Sequence, residues 1–259
     1  MSKLIFNFMK SLSRILWLTT ILMMTMIIWI HGKQIRELKK QETIYLPVDA
    51  FAQIETDIFL NSDGELNSLS AVGSGIVFYV DDYNSYILTA NHVCIPPFYD
   101  QILENYEERN ILLENGIIDF FGRSRKAIVV FNDAEKDLCI LKVSEIWTEP
   151  VILSVEPPII GERAYIIAAP GGFAYPGAIP IFEGLYSGQA ISYFQHDDIY
   201  TIPTQGGTSG AAVLNEEFEI IGVIHSAIMG NSNIGIASTH EEVSEFLYSW
   251  EILFGFRIE

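Results

Sequence analysis

Three short segments of the chain place a histidine, an aspartate and a serine in the order His92, Asp137 and Ser209. A serine hydroxyl is a weak nucleophile at neutral pH, so it needs an imidazole to accept its proton and a carboxylate to orient that imidazole. His92 follows the apolar run 87–90, and Asp137 precedes the apolar run 138–141. A carboxylate at the entrance of a buried strand needs a partner, and an imidazole N–H would serve. The pattern predicts covalent catalysis with Ser209 as nucleophile, His92 as general base and Asp137 as the orienting carboxylate.

The serine lies in a glycine-rich turn, residues 203–213. Glycines on both sides of Ser209 let the backbone turn sharply, so the N–H groups of Gly207 and Ser209 can point at one spot. Two such donors form an oxyanion hole, and we expect one here. The β-rich run 219–223 follows, and we expect it to line the substrate cleft.

Short β-rich runs separated by turn residues fill the chain after residue 51. Residues 75–80 and 86–89 flank the turn 81–84 and predict a hairpin. Further strands are predicted at residues 127–131, 139–143, 163–168, 178–183, 189–193, 212–214 and 219–224. Many short strands at this spacing favour barrels or a sandwich, an all-β fold. The acidic segment 96–115 is predicted to be an inserted loop or a short helix.

The C-terminal segment 241–254 carries apolar residues at steps of three and four, namely Val243, Phe246, Leu247, Trp250 and Leu253. This period predicts an amphipathic helix, packed most simply on the second half of the domain.

The N-terminus contains a charge-free run, Ile15–Ile30, with basic residues on both sides. Its 16 residues would span about 24 Å as a helix, somewhat less than a bilayer core of about 30 Å, and polar neighbours can complete the span. The end of the run lacks the small residues of a signal-peptidase site, so we favour an uncleaved single-pass anchor over a signal peptide. Basic residues are nearly balanced on the two sides of the run, so the loop-charge rule does not settle the orientation of the anchor. We favour a protease domain outside the cytoplasm.

The rest of the chain is strongly acidic, with eight basic against thirty-one acidic residues in 43–259. This charge argues against nucleic acid as a ligand and favours neutral or basic polypeptides near the cleft. A purely solubilising role explains the same excess. The lipid bilayer is an expected partner of the N-terminal run alone.

Cys94 and Cys139 are the only cysteines, too few for a disulfide-rich scaffold. Each lies two residues beyond a proposed catalytic residue, so a disulfide is conceivable, whereas buried free thiols are the default expectation. No cluster of His, Cys or Asp has the spacing of metal ligands, so neither a metal nor a cofactor is expected.

Four segments together resemble the trypsin-like (chymotrypsin-fold) serine proteases, most closely their HtrA/Deg-like branch: Gly73–Ile76, Leu88–Val93, Asp137–Val143 and Gly207–Gly210. The resemblance extends more weakly over residues 70–237. It implies two six-stranded antiparallel β-barrels with the triad between them, and a serine endopeptidase acting on polypeptides through an acyl-enzyme. The expected organisation is an anchor and stalk at 1–42 and a protease domain at 43–259, with barrels at about 51–145 and 150–240 and a helix at about 241–254.

The sequence departs from the family at Thr208, where Asp or Asn is usual, and at Gly210–Ala212, where Gly-Gly-Pro or similar is usual. Two alternatives therefore stay open: a binding or scaffold module that has lost turnover, and a viral or phage-like processing protease. The chain stops soon after the protease-like unit, so we expect no PDZ domain.

Thr204 and His225 resemble the pair with which glutamyl endopeptidases and 3C-like proteases hold an acidic or amide side chain. Residues 222–225 carry one residue more than those families have, which could turn His225 away from the pocket and leave Ile224 facing it, unless a bulge restores the orientation. A Glu- or Gln-selective pocket and a small or apolar one both remain open. His196 and His240 have no partner in sequence and are interpreted as surface residues.

Overall fold

A computed structural model describes residues 45–62, 65–99, 102–103, 111–145, 147–191, 196–228 and 230–255, together with Met23, Met24 and Met26. Residues Leu46–Glu259 form a compact unit. The predicted membrane anchor lies outside the described residues except for those three methionines. Within the described part of the chain, no helix combines the length and the apolar character that crossing a bilayer requires.

Twelve strands of the described residues form two closed barrels of six strands each. The first barrel comprises β1 (Phe51–Ser62), β2 (Glu65–Val80), β3 (Asn84–Ala90), β4 (Ile111–Asp119), β5 (Ser124–Asp133) and β6 (Leu138–Ser144). Its strands neighbour one another in the order β1-β2-β3-β6-β5-β4, and all of its pairs are antiparallel. The strands β3 and β6, which are buried over most of their length, pair with each other from end to end. Because both are buried, they give a rigid base from which the residues just beyond their ends project.

The second barrel comprises β7 (Arg163–Ile167), β8 (Ile181–Ile191), β9 (His196–Tyr200), β10 (Ala212–Leu214), β11 (Ile220–Ile228) and β12 (Asn231–Ser238). Its order is β10-β11-β12-β9-β8-β7, again antiparallel throughout. The short β10 directly follows the serine segment, so it fixes one end of that segment in the barrel wall.

Two antiparallel six-stranded barrels are therefore confirmed, as is the hairpin of β2 and β3. The prediction for residues 96–115 is wrong at its end, because Ile111–Asp119 is β4 and closes the first barrel against β1. The two runs predicted at 178–183 and 189–193 contribute residues 181–183 and 189–191 to one strand, β8, and residues 192 and 193 lie outside the described ones.

The predicted C-terminal helix is present as α2, His240–Phe254; the short helix α1, Asn91–Cys94, precedes it in the chain. Thr239 caps α2 in a capping box, with its side chain accepting from the Glu242 N–H. The expectation that α2 packs on the second barrel is incomplete. Its buried Trp250 lies edge-on to Phe78 of the first barrel at 5.3 Å between ring centroids, and Phe246 stacks on Phe131 at 4.9 Å. The first barrel thus buries the aromatic face of α2.

Candidate active site

His92 and Asp137 meet because their flanking strands are paired. Ala90 at the end of β3 lies opposite Leu138 at the start of β6. His92 Nδ1 lies 2.7 Å from Asp137 Oδ2, and the backbone N–H of His92 donates to Asp137 Oδ1 at 2.9 Å. A third bond runs from the Asn91 N–H to the Asp137 carbonyl at 3.0 Å. The aspartate therefore fixes both the ring and the backbone of the histidine.

Asp137 adopts a left-handed backbone conformation, with φ of 52°. Asp and Asn enter this region more easily than most residues. The neighbouring Asp133 serves an ordinary turn, where its carboxylate accepts the N–H groups of Glu135 and Lys136. Asp137 is thus the aspartate that contacts His92.

Cys94 and Cys139 form a disulfide, and both residues are completely buried. The default expectation of free thiols is wrong. The bond joins α1, which carries His92, to β6, which follows Asp137. The pairing of β3 with β6 that brings His92 to Asp137 also brings the two cysteines within 6.6 Å between α-carbons.

Ser209 is half-buried in the turn before β10. Its carbonyl accepts the N–H of Ser74 at 2.8 Å. A Cβ on Gly73 would lie 3.0 Å from that carbonyl and 2.5 Å from Val93 Cγ1, so only glycine lets the serine segment approach the residue after His92. The hydrogen bonds of the described residues include none between Ser209 Oγ and His92. In enzymes without substrate such contacts are often longer than in the working complex.

The turn before Ser209 presents two backbone donors. Gly207 has φ of 90° and Gly210 has φ of 83°, a region that glycine adopts at little cost. Among the described residues, neither the N–H of Gly207 nor that of Ser209 donates a backbone hydrogen bond. Since a buried N–H normally has a partner, this pair of donors is suited to a negatively charged oxygen.

Thr204 and His225 are each bonded elsewhere. Thr204 is buried, and its hydroxyl donates to the Ile234 carbonyl at 3.0 Å. His225 Nε2 lies 3.1 Å from Asp197 Oδ1 on β9. A bulge interrupts the pairing of β11 with β12 at His225, as one extra residue requires. The structure therefore does not join Thr204 and His225 by a hydrogen bond.

Ile224, the residue before the bulge, is buried in the core of the second barrel, close to Thr204. A Cβ placed on Gly235 would be 2.8 Å from Thr204 Cγ2 and 3.1 Å from Ile224 Cδ1. The carbonyl of Ile224 accepts the Gly210 N–H at 2.6 Å, and this bond connects β11 to the serine turn.

The remaining histidines differ from each other. His196 is exposed, as expected. His240, interpreted as a surface residue, is half-buried, and its Nε2 contacts the carbonyl of Ser154, a partner that the sequence did not reveal, at 2.8 Å. The described residues contain no group of three or more His, Cys, Asp or Glu side chains that could hold a metal ion.

The most perturbed carboxyl group lies inside the second barrel. Burial raises the pKa of Asp198 to about 6, against hydrogen bonds from Tyr186 and the His240 backbone that lower it. Tyr186 donates to Asp198 Oδ1 at 2.9 Å, and burial followed by this bond raises the pKa of Tyr186. Neither group is part of the His92 and Asp137 pair.

Sequence reasoning missed Ser74 as a functional candidate. Ser74 is completely buried, and its hydroxyl contacts the segment before Ser209. Its place between Gly73 and Gly75 was the available signal, since glycines on both sides mark a close approach of another chain segment.

Chymotrypsin-like peptidase domains combine two six-stranded barrels, a His–Asp pair and a serine turn that presents two backbone N–H groups. The described residues of this chain contain each of these features. Residues 73–223 match the family described as "Trypsin-like peptidase domain". The chain belongs to this family.

Two relatives that the chain matches carry the names of DegP-like and HtrA proteases. The chain is 28% identical over 174 residues to a probable periplasmic serine endoprotease DegP-like of Buchnera aphidicola, covering 64% of this chain and 34% of that protein. It is 26% identical over 190 residues to the serine protease Do-like HtrA of Lactococcus lactis, covering 67% of this chain and 42% of the relative. The chain thus spans about a third to two fifths of these relatives' length.

Solved structures show the same fold. A variant of the HtrA-type protease AlgW with a decapeptide superposes with a TM-score of 0.64 at 17% identity, covering 82% of this chain and 66% of that one. The serine endoprotease from Yersinia pestis gives a TM-score of 0.56 at 20% identity, covering 79% and 63%. These likenesses show the trypsin-like fold.

Proposed function

We propose that this chain is a serine endopeptidase that cleaves polypeptides with His92, Asp137 and Ser209 as its catalytic triad. The observation that carries the proposal is the double attachment of His92 to Asp137, through the ring at 2.7 Å and through the backbone at 2.9 Å. The peptide-bearing AlgW structure supports a polypeptide substrate by analogy.

The chemistry follows from the ring nitrogens. With Nδ1 of His92 donating to Asp137, Nε2 is left to accept the proton of the Ser209 hydroxyl. The serine oxygen attacks the substrate carbonyl, and the N–H groups of Gly207 and Ser209 stabilise the resulting oxyanion. His92 then passes the proton to the leaving amine as the C–N bond breaks, which leaves an acyl group on Ser209. A water deprotonated by the same imidazole releases the acid and restores the hydroxyl.

Labelling of the full chain with a fluorophosphonate probe tests this mechanism. The probe phosphonylates a serine only when its hydroxyl is activated, so labelling should occur in wild type and be lost in Ser209→Ala and His92→Ala. A matched control is Ser85→Ala, which removes a buried hydroxyl bonded to the Glu145 carbonyl at the far end of β3. Absence of labelling in folded wild type would instead favour the binding module without turnover.

We also propose a small apolar preference for the substrate side chain just before the cleaved bond. Three observations support it: the Thr204 hydroxyl is committed to Ile234, His225 is paired with Asp197, and Ile224 packs beside Gly235. Matched peptides that differ only at this residue should be cleaved with a higher kcat/KM when it is Ala or Val than when it is Glu. A preference for Glu would overturn this assignment.

Finally, we propose that Ile15–Ile30 anchors the chain in a membrane and that the protease domain faces an oxidising compartment. The Cys94–Cys139 disulfide supports this placement, because such bonds are rare in the cytosol. In a bacterial host, the chain should stay in carbonate-washed membranes and be digested by protease added outside spheroplasts. Recovery in the soluble fraction would contradict the anchor.

A further inference from the structure

Ser74 is the most connected polar residue beside the serine turn. It lies on β2, is completely buried, and takes part in four hydrogen bonds. Its N–H donates to the Ser209 carbonyl at 2.8 Å, and its hydroxyl donates to the Gly207 carbonyl at 2.8 Å. The same hydroxyl accepts the Ala169 N–H at 2.9 Å, while the Ser74 carbonyl accepts the Thr89 hydroxyl at 2.7 Å.

These bonds place one hydroxyl between three parts of the fold. Ser74 belongs to the first barrel, Ala169 follows β7 of the second barrel, and Gly207 precedes the proposed nucleophile. The Ser74 side chain therefore ties the serine turn to both barrels at once.

The N–H of Gly207 lies in the planar peptide group that it shares with the Gly206 carbonyl, and the next peptide group, which carries the Gly207 carbonyl, leads on to the Ser209 N–H. The carbonyl of Gly206 accepts the Gly171 N–H at 2.6 Å, which holds the first peptide. The Ser74 hydroxyl holds the second peptide through the Gly207 carbonyl. Because glycine has little intrinsic preference among backbone conformations, holding both peptide groups fixes how the Gly207 N–H is directed relative to the Ser209 N–H.

Thr208 does not duplicate the role of Ser74. Its hydroxyl donates to the Gln205 carbonyl at 2.7 Å, within the same turn. That bond stiffens the turn but connects it to neither barrel.

We propose that Ser74 is a positioning residue. Its hydroxyl holds the Gly207 carbonyl and so keeps the Gly207 and Ser209 N–H groups of the oxyanion hole aligned with each other. This inference rests on the proposed peptidase function. It predicts a specific kinetic signature, because a misdirected donor weakens binding of the transition state while leaving binding of the substrate unchanged.

The test compares Ser74→Ala with Ser85→Ala in the full chain. Both substitutions remove the fully buried hydroxyl of a first-barrel serine that donates to a backbone carbonyl, but only Ser74 donates to the serine turn. We expect Ser74→Ala to lower kcat by about 10- to 100-fold with KM nearly unchanged, less than the loss of about 10²- to 10³-fold when an oxyanion donor itself is removed. Ser85→Ala should keep the wild-type kcat.

A second measurement separates orientation from folding. The affinity for a peptide boronate, which resembles the tetrahedral intermediate, should fall in parallel with kcat in Ser74→Ala. The affinity for an uncleaved peptide, measured in a Ser209→Ala background, should stay the same. If Ser74→Ala does not fold, Ser74→Cys carries the same expectation, because a thiol fills the site but is a weak donor.

The outcomes distinguish this inference from the peptidase function. Wild type that cleaves peptides while Ser74→Ala or Ser74→Cys keeps its kcat would overturn the role of Ser74 and leave the peptidase function standing. Equal losses of kcat in the Ser74 and Ser85 variants would also overturn it. Wild type without activity or probe labelling would overturn both.

Discussion

Reduction of the Cys94–Cys139 disulfide should destabilise the domain strongly without disabling the folded enzyme. The bond joins residues 45 apart in sequence. Closing a loop of that length removes conformational entropy from the unfolded chain that corresponds to about 4 kcal/mol in the chain-entropy treatment. Reduction should therefore lower the free energy of unfolding by about this amount, with the folded structure retained at low temperature.

Activity should survive because the His92 and Asp137 pair has other supports. Three hydrogen bonds join residues 91 and 92 to Asp137, and the Thr56 hydroxyl holds the Val93 carbonyl of α1 at 2.6 Å. The β3 and β6 strands also stay paired by their backbones. We expect kcat of the folded reduced protein to stay within a few-fold of the oxidised value.

The assay is urea unfolding followed by circular dichroism, with and without reductant, combined with kcat measured in the absence of urea. Comparing two redox states of one sequence avoids the cavity that a substitution would create. Reductant should leave the Cys94→Ala/Cys139→Ala variant unaffected, which confirms that it acts through this bond. A loss of stability below about 1 kcal/mol would refute the entropic reasoning, and a large loss of kcat in folded reduced protein would refute the redundancy of the supports.

Two further predictions concern the core and the second barrel. Trp250→Ala should lower the free energy of unfolding by about 3–5 kcal/mol, because this fully buried ring contacts Phe78, Tyr79 and Tyr86. Thermal denaturation of this variant and of the control Tyr248→Ala, which removes an exposed ring, measures the difference. Burial raises the pKa of Asp198 in the folded protein to about 6, so the folded protein binds this proton more tightly than the unfolded chain does. The stabilisation by the protonated carboxyl is therefore present at pH 4 and is lost as the pH rises through 6. Between pH 4 and pH 7 wild type should lose about 2 kcal/mol relative to Asp198→Asn, and parallel unfolding curves for the two proteins would contradict this linkage.

The sequence identified the His92 and Asp137 pair because the relevant signals are local. Each residue lies within two positions of a largely apolar run, and such runs become buried strands whose ends are fixed by their pairing. These runs also located β3 and β6, whereas apolar residues at steps of three and four located the helix α2. Residue type and spacing were sufficient there.

Strands that depend on distant partners escaped prediction. β4 contains Glu114, Asn115 and Gly116, a composition typical of loops. The buried Asn115 is tolerated because its side-chain amide lies within hydrogen-bond distance of the Thr56 hydroxyl of β1, at 2.7 Å. A partner 59 residues away therefore decides the conformation, and no local pattern contains that information.

The contact of His240 with a backbone carbonyl was invisible for the same reason. A carbonyl acceptor such as Ser154 O has no residue-type signature, so no sequence pattern reveals it. The bulge at His225 was foreseen as an alternative from the extra residue, but its partner Asp197 lies on another strand.

Small residues, and not long charged ones, connect the two barrels at the site. The Ser74 N–H and hydroxyl hold the serine turn, and the Ser238 hydroxyl of β12 donates at 3.0 Å to the carbonyl of Lys136, the residue before Asp137. Each of these bonds ends on a backbone carbonyl next to a proposed catalytic group, so each transmits the position of one barrel to the other with little freedom. A short side chain has few rotamers to restrict, and the entropic cost of holding this geometry is correspondingly low. A methyl group on Gly73 would lie 2.5 Å from Val93 Cγ1 and 3.0 Å from the Ser209 carbonyl, so it would separate the serine turn from α1. The spacing of the site therefore depends on residues that carry no charge.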